Sequence, residues 1–394
     1  MSELPSKAQV VVIGSGIIGA AIAYYLTQKG IRDILVLEKG EIGGQGATSA
    51  CLGGLRTQFS TRVNIRFSLI SQELFRQFKD EFGIDLNFKP LGYLFLAATC
   101  DQWKVFEHTA RLMETLKLPV ELLTPREMAR RWSFIQVNDL IGGSYTQNDG
   151  FYSPMEVLGT FVKKARQGGA AFREKVRVSG ILISNQSVVG VQTLTGHRIK
   201  PDMVVNAAGP WAGEVANMAG LKLPVGPVKR HLFFTDTFDE IPKIFPMIID
   251  IGSGWYILRE SQGLILGGPT GEKSFSSHVD FDAKEWTAAQ SVKRIPALEH
   301  ARMIREWVGH YEMTPDHHAA VGTFPELRNF ICAAGFSGHG FQHAPAAGLV
   351  VAELIADGKV QTEDIYPLRP TRFRENDLIH EPMTAFRESG PSIE

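Results

Sequence analysis

Apolar residues along this chain follow two rhythms. Residues 8–30, AQVVVIGSGIIGAAIAYYLTQKG, begin with a β-branched run, break at glycines and continue with apolar residues at helical spacing up to Gly30. That order predicts strand, turn and helix with a glycine C-cap. DILVLEKG (33–40) adds a second buried strand, completing a βαβ unit of roughly thirty residues. IRFSLISQELFRQFKDEFG (65–83) predicts a helix stopping at Gly83. From about Leu91 the texture turns to strands: LGYLFLA early, then HLFFTDT, PMIIDI, GWYILRE and GLILGGP between residues 231 and 269. The last two flank the short turn Ser261-Gln262-Gly263 and predict an antiparallel hairpin. Strand-turn-helix texture returns in MVVNAAGPWAGEVANMAG (203–220) and again where NFICAAG (329–335) runs into GFSGHGFQHAP (335–345).

Parallel α/β texture thus occurs three times, with antiparallel texture between. The expected fold class is α/β, of α+β two-domain type: a Rossmann-like nucleotide-binding domain (1–88, 150–222 and 322–372) interrupted by an antiparallel-sheet substrate domain (89–149 and 223–321). The polar stretch beyond about Asp364 reads as loosely held, with 373–394 a C-terminal tail.

The chain has 394 residues, 44% hydrophobic and 21% charged, which suits a globular protein with room for two domains. Its net charge of −1 shows no basic surface for nucleic acid. Cys51, Cys100 and Cys332 are widely separated, so neither a disulfide framework nor a zinc knuckle is implied. MSELPSKAQ lacks the apolar core of a secretory signal, and IIGAAIAYYL is about half a bilayer span. A cytoplasmic protein without a membrane span is expected.

The strongest chemical signal is Gly14-Ser15-Gly16-Ile17-Ile18-Gly19 between strand and helix, with Glu38 ending the next strand. Gly14 permits the turn, Gly16 lets backbone approach a pyrophosphate, and Gly19 lets helix pack on strand. The helix N-terminus offers amides to phosphate. Glu38 suits a ribose hydroxyl and repels a 2′-phosphate, favouring NAD or FAD over NADP.

Three further segments separate those two. EKGEIGGQGATSACLGGLR (38–56), NAAGPWAGEVA (206–216) and GFSGHGFQHAPAAGLVVAEL resemble, in order, motifs of the D-amino-acid oxidase and sarcosine oxidase superfamily of flavoenzymes. WVGHYEMTPDHHAAVG and GLRTQFS are most similar to the β subunits of sarcosine oxidases and dye-linked L-proline dehydrogenases. The resemblance implies non-covalent FAD on Gly14, Gly16, Ile18, Gly19, Glu38 and Lys39, with Gly46, Ala47, Thr48 and Ser49 along the flavin. Val176 would touch the adenine side, and Ala208, Gly209 and Trp211 would flank the cofactor. Val176 and Trp211 suit an ordinary core equally well. Gly335, Gly338, His339, Gly340, Phe341 and Gln342 would complete the flavin site.

For the substrate, Arg56 aligns with the arginine that binds carboxylate in monomeric sarcosine oxidases, as the planar guanidinium allows; a surface salt bridge is the plain alternative. Tyr256 and Tyr311 fall where the family places tyrosines over the substrate, and Arg259 is a second candidate carboxylate partner. All three positions also suit strand residues packed between domains. The chain departs from the family where a flavin-linking cysteine aligns with Gly309, an FMN-linking histidine near Pro154, and an oxygen-activating lysine near Ile265. Gln342 replaces another lysine.

The expected reaction is hydride transfer from a small secondary or primary amino acid, sarcosine-like, to flavin N5, giving an imine that hydrolyses. Oxygen or another acceptor takes the electrons, and a partner subunit or homo-oligomer is possible. The alternatives are an L-proline or imino-acid dehydrogenase feeding a partner subunit or quinone, and a non-catalytic FAD-binding assembly factor. In GFSGHGFQHAP the glycines and Pro345 predict a helix starting near Ala344, leaving His339 and His343 on extended backbone before it, with no third ligand for a metal.

Overall fold

A computed structural model describes residues 4–44 and 46–385. Two eight-stranded sheets organise them. In the first, Lys7–Ile13 lies between Arg198–Asn206 and Ile34–Leu37, parallel to both, and Leu327–Ala334 runs parallel beyond. Both faces are covered, which is why the strands read as continuous apolar runs. Val10 and Val12 pack against the helices Ile17–Gln28 and Gly340–Ala356, while Val11 and Ile13 pack toward the helix Ala212–Met218. Those first two helices cross closely because Gly348 carries no side chain: a Cβ there would sit 2.8 Å from the Ala21 carbonyl carbon.

The second sheet orders Met303–Met313, Gly226–Thr235, Gly263–Thr270, Tyr256–Glu260, Met247–Asp250, Tyr93–Ala97, Gly142–Thr146 and Glu121–Leu123. It is antiparallel apart from the pairing of Met247–Asp250 with Tyr93–Ala97. The hairpin at Ser261 and Gln262 is present. Phe233, Ile248 and Ile257 face an outer helix layer, and Leu232, Ile249 and Tyr256 face the site.

Strands of the first sheet come from residues 7–37, 171–206 and 320–334, and strands of the second from 93–146 and 226–313. The region after Leu91 is less purely β than its apolar texture predicts. Cys100–Thr115 and Pro125–Arg131 are helices, each opened by a capping box, Thr99 with Gln102 and Thr124 with Glu127. The C-terminal segment is also not loose. Arg372 is fully buried and paired with Asp316 at 2.7 Å, and buried Glu381 accepts from the Ser60 amide and the Asn64 side chain. Residues 386–394 of the expected tail lie outside the described residues.

Candidate active site

Two adjoining cavities lie between the sheets. The larger spans about 1370 Å³ including its mouth, and its walls include Gly14, Gly16, Ile18, Glu38, Lys39, Gly46, Ala47, Thr48, Val176, Ala208, Gly209, Trp211, Gly338, Gly340 and Phe341. The glycine turn is closely packed: Gly14 has φ +105°, and a Cβ on Gly19 would lie 2.0 Å from the Gly14 carbonyl oxygen. Helix Ile17–Gln28 starts at Gly16 with neither a capping side chain nor an acidic residue in its first turn. The Ile17 amide donates to Thr48 Oγ1 at 3.0 Å, which ties the later glycine loop to this turn. Glu38 accepts from the Ser15 amide and hydroxyl at 3.0 and 2.9 Å and from the Gly40 amide. Lys39 Nζ lies over the Trp211 ring, 2.8 Å from its centroid, and burial pushes its pKa down to about 8.

Gly19, Ser49 and Gly335 are behind this wall. Ser49 donates to the Gly46 carbonyl at 3.2 Å, and Gly335 turns the chain at φ +76° against Thr314 and Val225. His339 and Gln342 face the smaller cavity instead, with Arg56, Tyr256, Tyr311, Tyr93, Arg230, Leu232, Met247 and Ile249. Ala47, Cys51, Tyr311, Gly338 and Phe341 line both cavities, so the two are contiguous.

Arg56 is buried. Its guanidinium donates to the Gln58 carbonyl, meets His339 Nε2 at 3.2 Å and lies on the Phe59 ring at 3.9 Å. Its amide donates to Gln342 Oε1 at 2.7 Å. Asp149, buried beside it, accepts from the Thr57 amide and hydroxyl, and burial raises its pKa to about 6. Burial, then the charges of Arg56 and His318, push His343 down to about 3, so this ring is neutral.

Two expectations need correction. Arg259 does not reach the site: its guanidinium donates to the carbonyls of Phe238, Gln262, Ile241 and Pro242, on the opposite side of its strand from Tyr256. The last helix runs Gly340–Ala356, so His339 is its N-cap and His343 lies in its first turns. Its start one turn earlier costs one bond, because Pro345 has no amide for the Phe341 carbonyl, while the His343 amide still donates to the His339 carbonyl at 3.1 Å.

Sequence reasoning missed Arg230 and Glu312. Arg230 is a cation just before the apolar run HLFF, a signal that could have marked it. Glu312 lines the larger cavity, accepts from the Gly335 amide at 3.0 Å and from the Phe336 amide, and is pushed up to about 7 by burial. Among the described residues no group of three His, Cys, Asp or Glu could hold a metal, and no helix is long and apolar enough to cross a membrane.

Residues 9–354 match the family model described as FAD dependent oxidoreductase, DAO. The chain belongs to this family. This FAD-dependent oxidoreductase is 32% identical to FAD-dependent oxidoreductase domain-containing protein 1 of Xenopus laevis over 96% of this chain and 85% of that one. Among solved structures it is similar to L-proline dehydrogenase from P. horikoshii (TM-score 0.87, 35% identity, 95% of this chain and 100% of that one). It is also similar to glycine oxidase from Geobacillus kaustophilus (TM-score 0.81, 25% identity, 93% and 99%). The cofactor is FAD, and the larger cavity fits it. Two helix N-termini, at Gly16 and at His339, have no cap from their own N-cap residue and no first-turn acid; apart from the Ile17 amide, taken by Thr48, they leave amides for phosphate and for the charge of a reduced ring.

Proposed function

We propose that this flavoprotein oxidises a small amino acid, of N-methyl (sarcosine) or cyclic imino-acid type, at the carbon next to nitrogen. The observation that carries this reading is the second cavity. It opens onto the cofactor cavity through shared walls and is lined by two guanidiniums and, among the described residues, by no carboxylate. Bound FAD supplies the two-electron acceptor for hydride. The protein contributes orientation and exclusion of water. Tyr256 and Tyr311 wall the substrate, a guanidinium fixes its carboxylate, and Gln342 and His339 hold Arg56 in place. Bare amides at the start of helix Gly340–Ala356 favour negative charge accumulating nearby. The substrate leaves as an imine, which water hydrolyses.

An acceptor other than oxygen is favoured by one feature. Ile265, near which monomeric sarcosine oxidases carry the lysine that promotes oxygen reduction, is buried among Leu232, Tyr256 and Leu258, and among the described residues no lysine lines the smaller cavity. The likeness to L-proline dehydrogenase supports an imino-acid dehydrogenase that passes electrons to a partner subunit or quinone.

The test is anaerobic mixing of the yellow protein with sarcosine, L-proline, glycine and D-amino acids, followed by air. Bleaching by a secondary amino acid, with slow return of colour in air, is expected. Fast return of colour assigns an oxidase, and absence of bleaching by every amine defeats the amino-acid reading.

A further inference from the structure

The sequence offers Arg56 and Arg259 for the substrate's charge contact and the structure adds Arg230, and the three are in different states. Arg259 spends both terminal nitrogens on four backbone carbonyls outside the site. Arg56 faces the cavity, but its guanidinium is already engaged by the Gln58 carbonyl, His339 and the Phe59 ring. Arg230 is only 7% exposed and has no such set of partners. One of its terminal nitrogens donates to Thr270 Oγ1, and its plane lies over the Tyr311 ring, 4.9 Å from the centroid. Its Nε, like that of Arg259, is shielded from solvent without a hydrogen-bond partner, so the difference between the two lies in their terminal nitrogens. Asp280 meets the other face of the Arg230 strand, where it pairs with Lys229 at 2.6 Å and with His231 at 3.1 Å.

A guanidinium buried without a counter-ion is costly, and the cost is removed when an anion is brought to it. Here the anion has to come through the cavity that Arg230 lines. We infer that Arg230, and not Arg56 or Arg259, receives the carboxylate of the substrate, with Arg56 a positioning residue. This rests on the amino-acid reading above and assigns its charge contact.

The surroundings fit a small amino acid held by its carboxylate. Arg230 stands opposite Thr270, whose hydroxyl accepts from it, and Gly309, which has no side chain, on the two neighbouring strands. Leu232, on the same face of its strand, joins Met247, Ile249 and Tyr256 in an apolar wall for the substrate's hydrocarbon. No carboxylate among the described lining residues offers a partner to an ammonium, and two guanidiniums repel it. The site therefore selects the substrate with its amine neutral, the form whose lone pair can drive hydride departure.

The experiment uses FAD-loaded wild type, Arg230→Met, Arg230→Lys and Arg56→Met. Each is titrated with propionate and benzoate and with their uncharged amides, reading flavin absorption, and then mixed anaerobically with L-proline and with pyrrolidine. Arg230→Met is expected to raise the carboxylate Kd by about 30-fold or more, as removal of one partner of a desolvated charge pair does. Amide binding should not change, and Tm should be no lower than wild type, because an uncompensated buried charge has been removed. A purely structural arginine would lower Tm and leave the carboxylate-to-amide ratio alone. If Arg230→Met does not fold, Arg230→Lys decides: its ammonium lacks the planar fork, so a Kd raised about tenfold supports the assignment, and an unchanged Kd overturns it. Carboxylate binding lost in Arg56→Met but kept in Arg230→Met also overturns it, while bleaching by proline in wild type leaves the amino-acid reading standing. Arg230-dependent binding of propionate without bleaching by any amine supports the anion site and defeats the amino-acid reading alone.

Discussion

The larger cavity is walled to a great extent by backbone, and the smaller by side chains that reach across strands. Gly14, Gly16, Gly46, Gly209, Gly338 and Gly340 bring peptide groups to the first surface, and two uncapped helix ends face it. Arg56, Tyr93, Arg230, Tyr256 and Tyr311 make the second. Backbone walls suit a large, invariant cofactor, because they offer many amides and depend little on rotamers. Side-chain walls suit a substrate, because one residue can be changed to alter charge or shape without moving the fold. The same chain would therefore hold FAD by what its residues lack and choose a substrate by what its residues carry.

The largest expected effect breaks the first wall alone. A Cβ on Gly16 would approach Thr48 Oγ1 to 3.3 Å, so Ala is nearly tolerated there, whereas Val places two more methyls on the cavity side. Gly16→Val should yield folded protein that is colourless or pale, with FAD affinity weaker by about 100-fold, the upper range of what overpacking costs. The check is the flavin-to-protein ratio after gel filtration together with a far-UV spectrum. If Gly16→Val retains FAD as wild type does, the backbone account of the larger cavity fails.

That wall was also the legible one. Gly14, Gly16, Gly19 and Glu38 declare themselves within one βαβ unit, because a tight turn, a helix start and a strand end are local events. Arg230 shows in the sequence only as a cation before the apolar run HLFF, and Glu312 not at all, because their roles depend on pairing Gly226–Thr235 with both Gly263–Thr270 and Met303–Met313, segments far apart in sequence. Arg259 is a different case. Alternation along a strand puts residues 256 and 258 on one face and 257 and 259 on the other, so a site containing Tyr256 excludes Arg259 by parity. The last helix starts earlier than its sequence predicts because Pro345, although suited to a first turn, costs further in only the one bond to the Phe341 carbonyl.

A smaller effect concerns Glu312, an ionisable side chain set into the backbone wall. Burial raises it from 4.5 to about 7, so between those values the folded state holds a proton that the unfolded state has lost. Its contribution to stability is therefore present below about pH 4.5 and disappears as pH rises through 7. Asp149 acts in the same sense, with a raised value of about 6, and cancels when variants are compared. In flavin-stripped protein, Glu312→Gln should gain on wild type as pH rises from 5 to 8, by on the order of 2–3 kcal/mol. Urea titrations at both ends of that range read the difference; an equal gap at pH 5 and pH 8 would mean that the carboxyl is not held protonated by burial.

The smallest effect sharpens the comparison by using an arginine that belongs to neither wall. Arg259 bridges four carbonyls between its own hairpin and residues 238–242 and is partly exposed, so its charge remains hydrated while its donors staple two loops. Arg259→Met leaves those carbonyls to water and should cost about 1–2 kcal/mol of stability, the range for hydrogen bonds from a charged group that solvent partly replaces. Neither flavin content nor carboxylate affinity should move by more than about twofold, within the range of surface substitutions. Arg230→Met is expected to behave in the reverse way, with stability kept and affinity lost. Thermal denaturation and the propionate titration, run on both variants, therefore separate an arginine that holds the protein together from one that waits for a ligand. A common response in the two variants would show that burial without a counter-ion does not by itself mark the binding arginine.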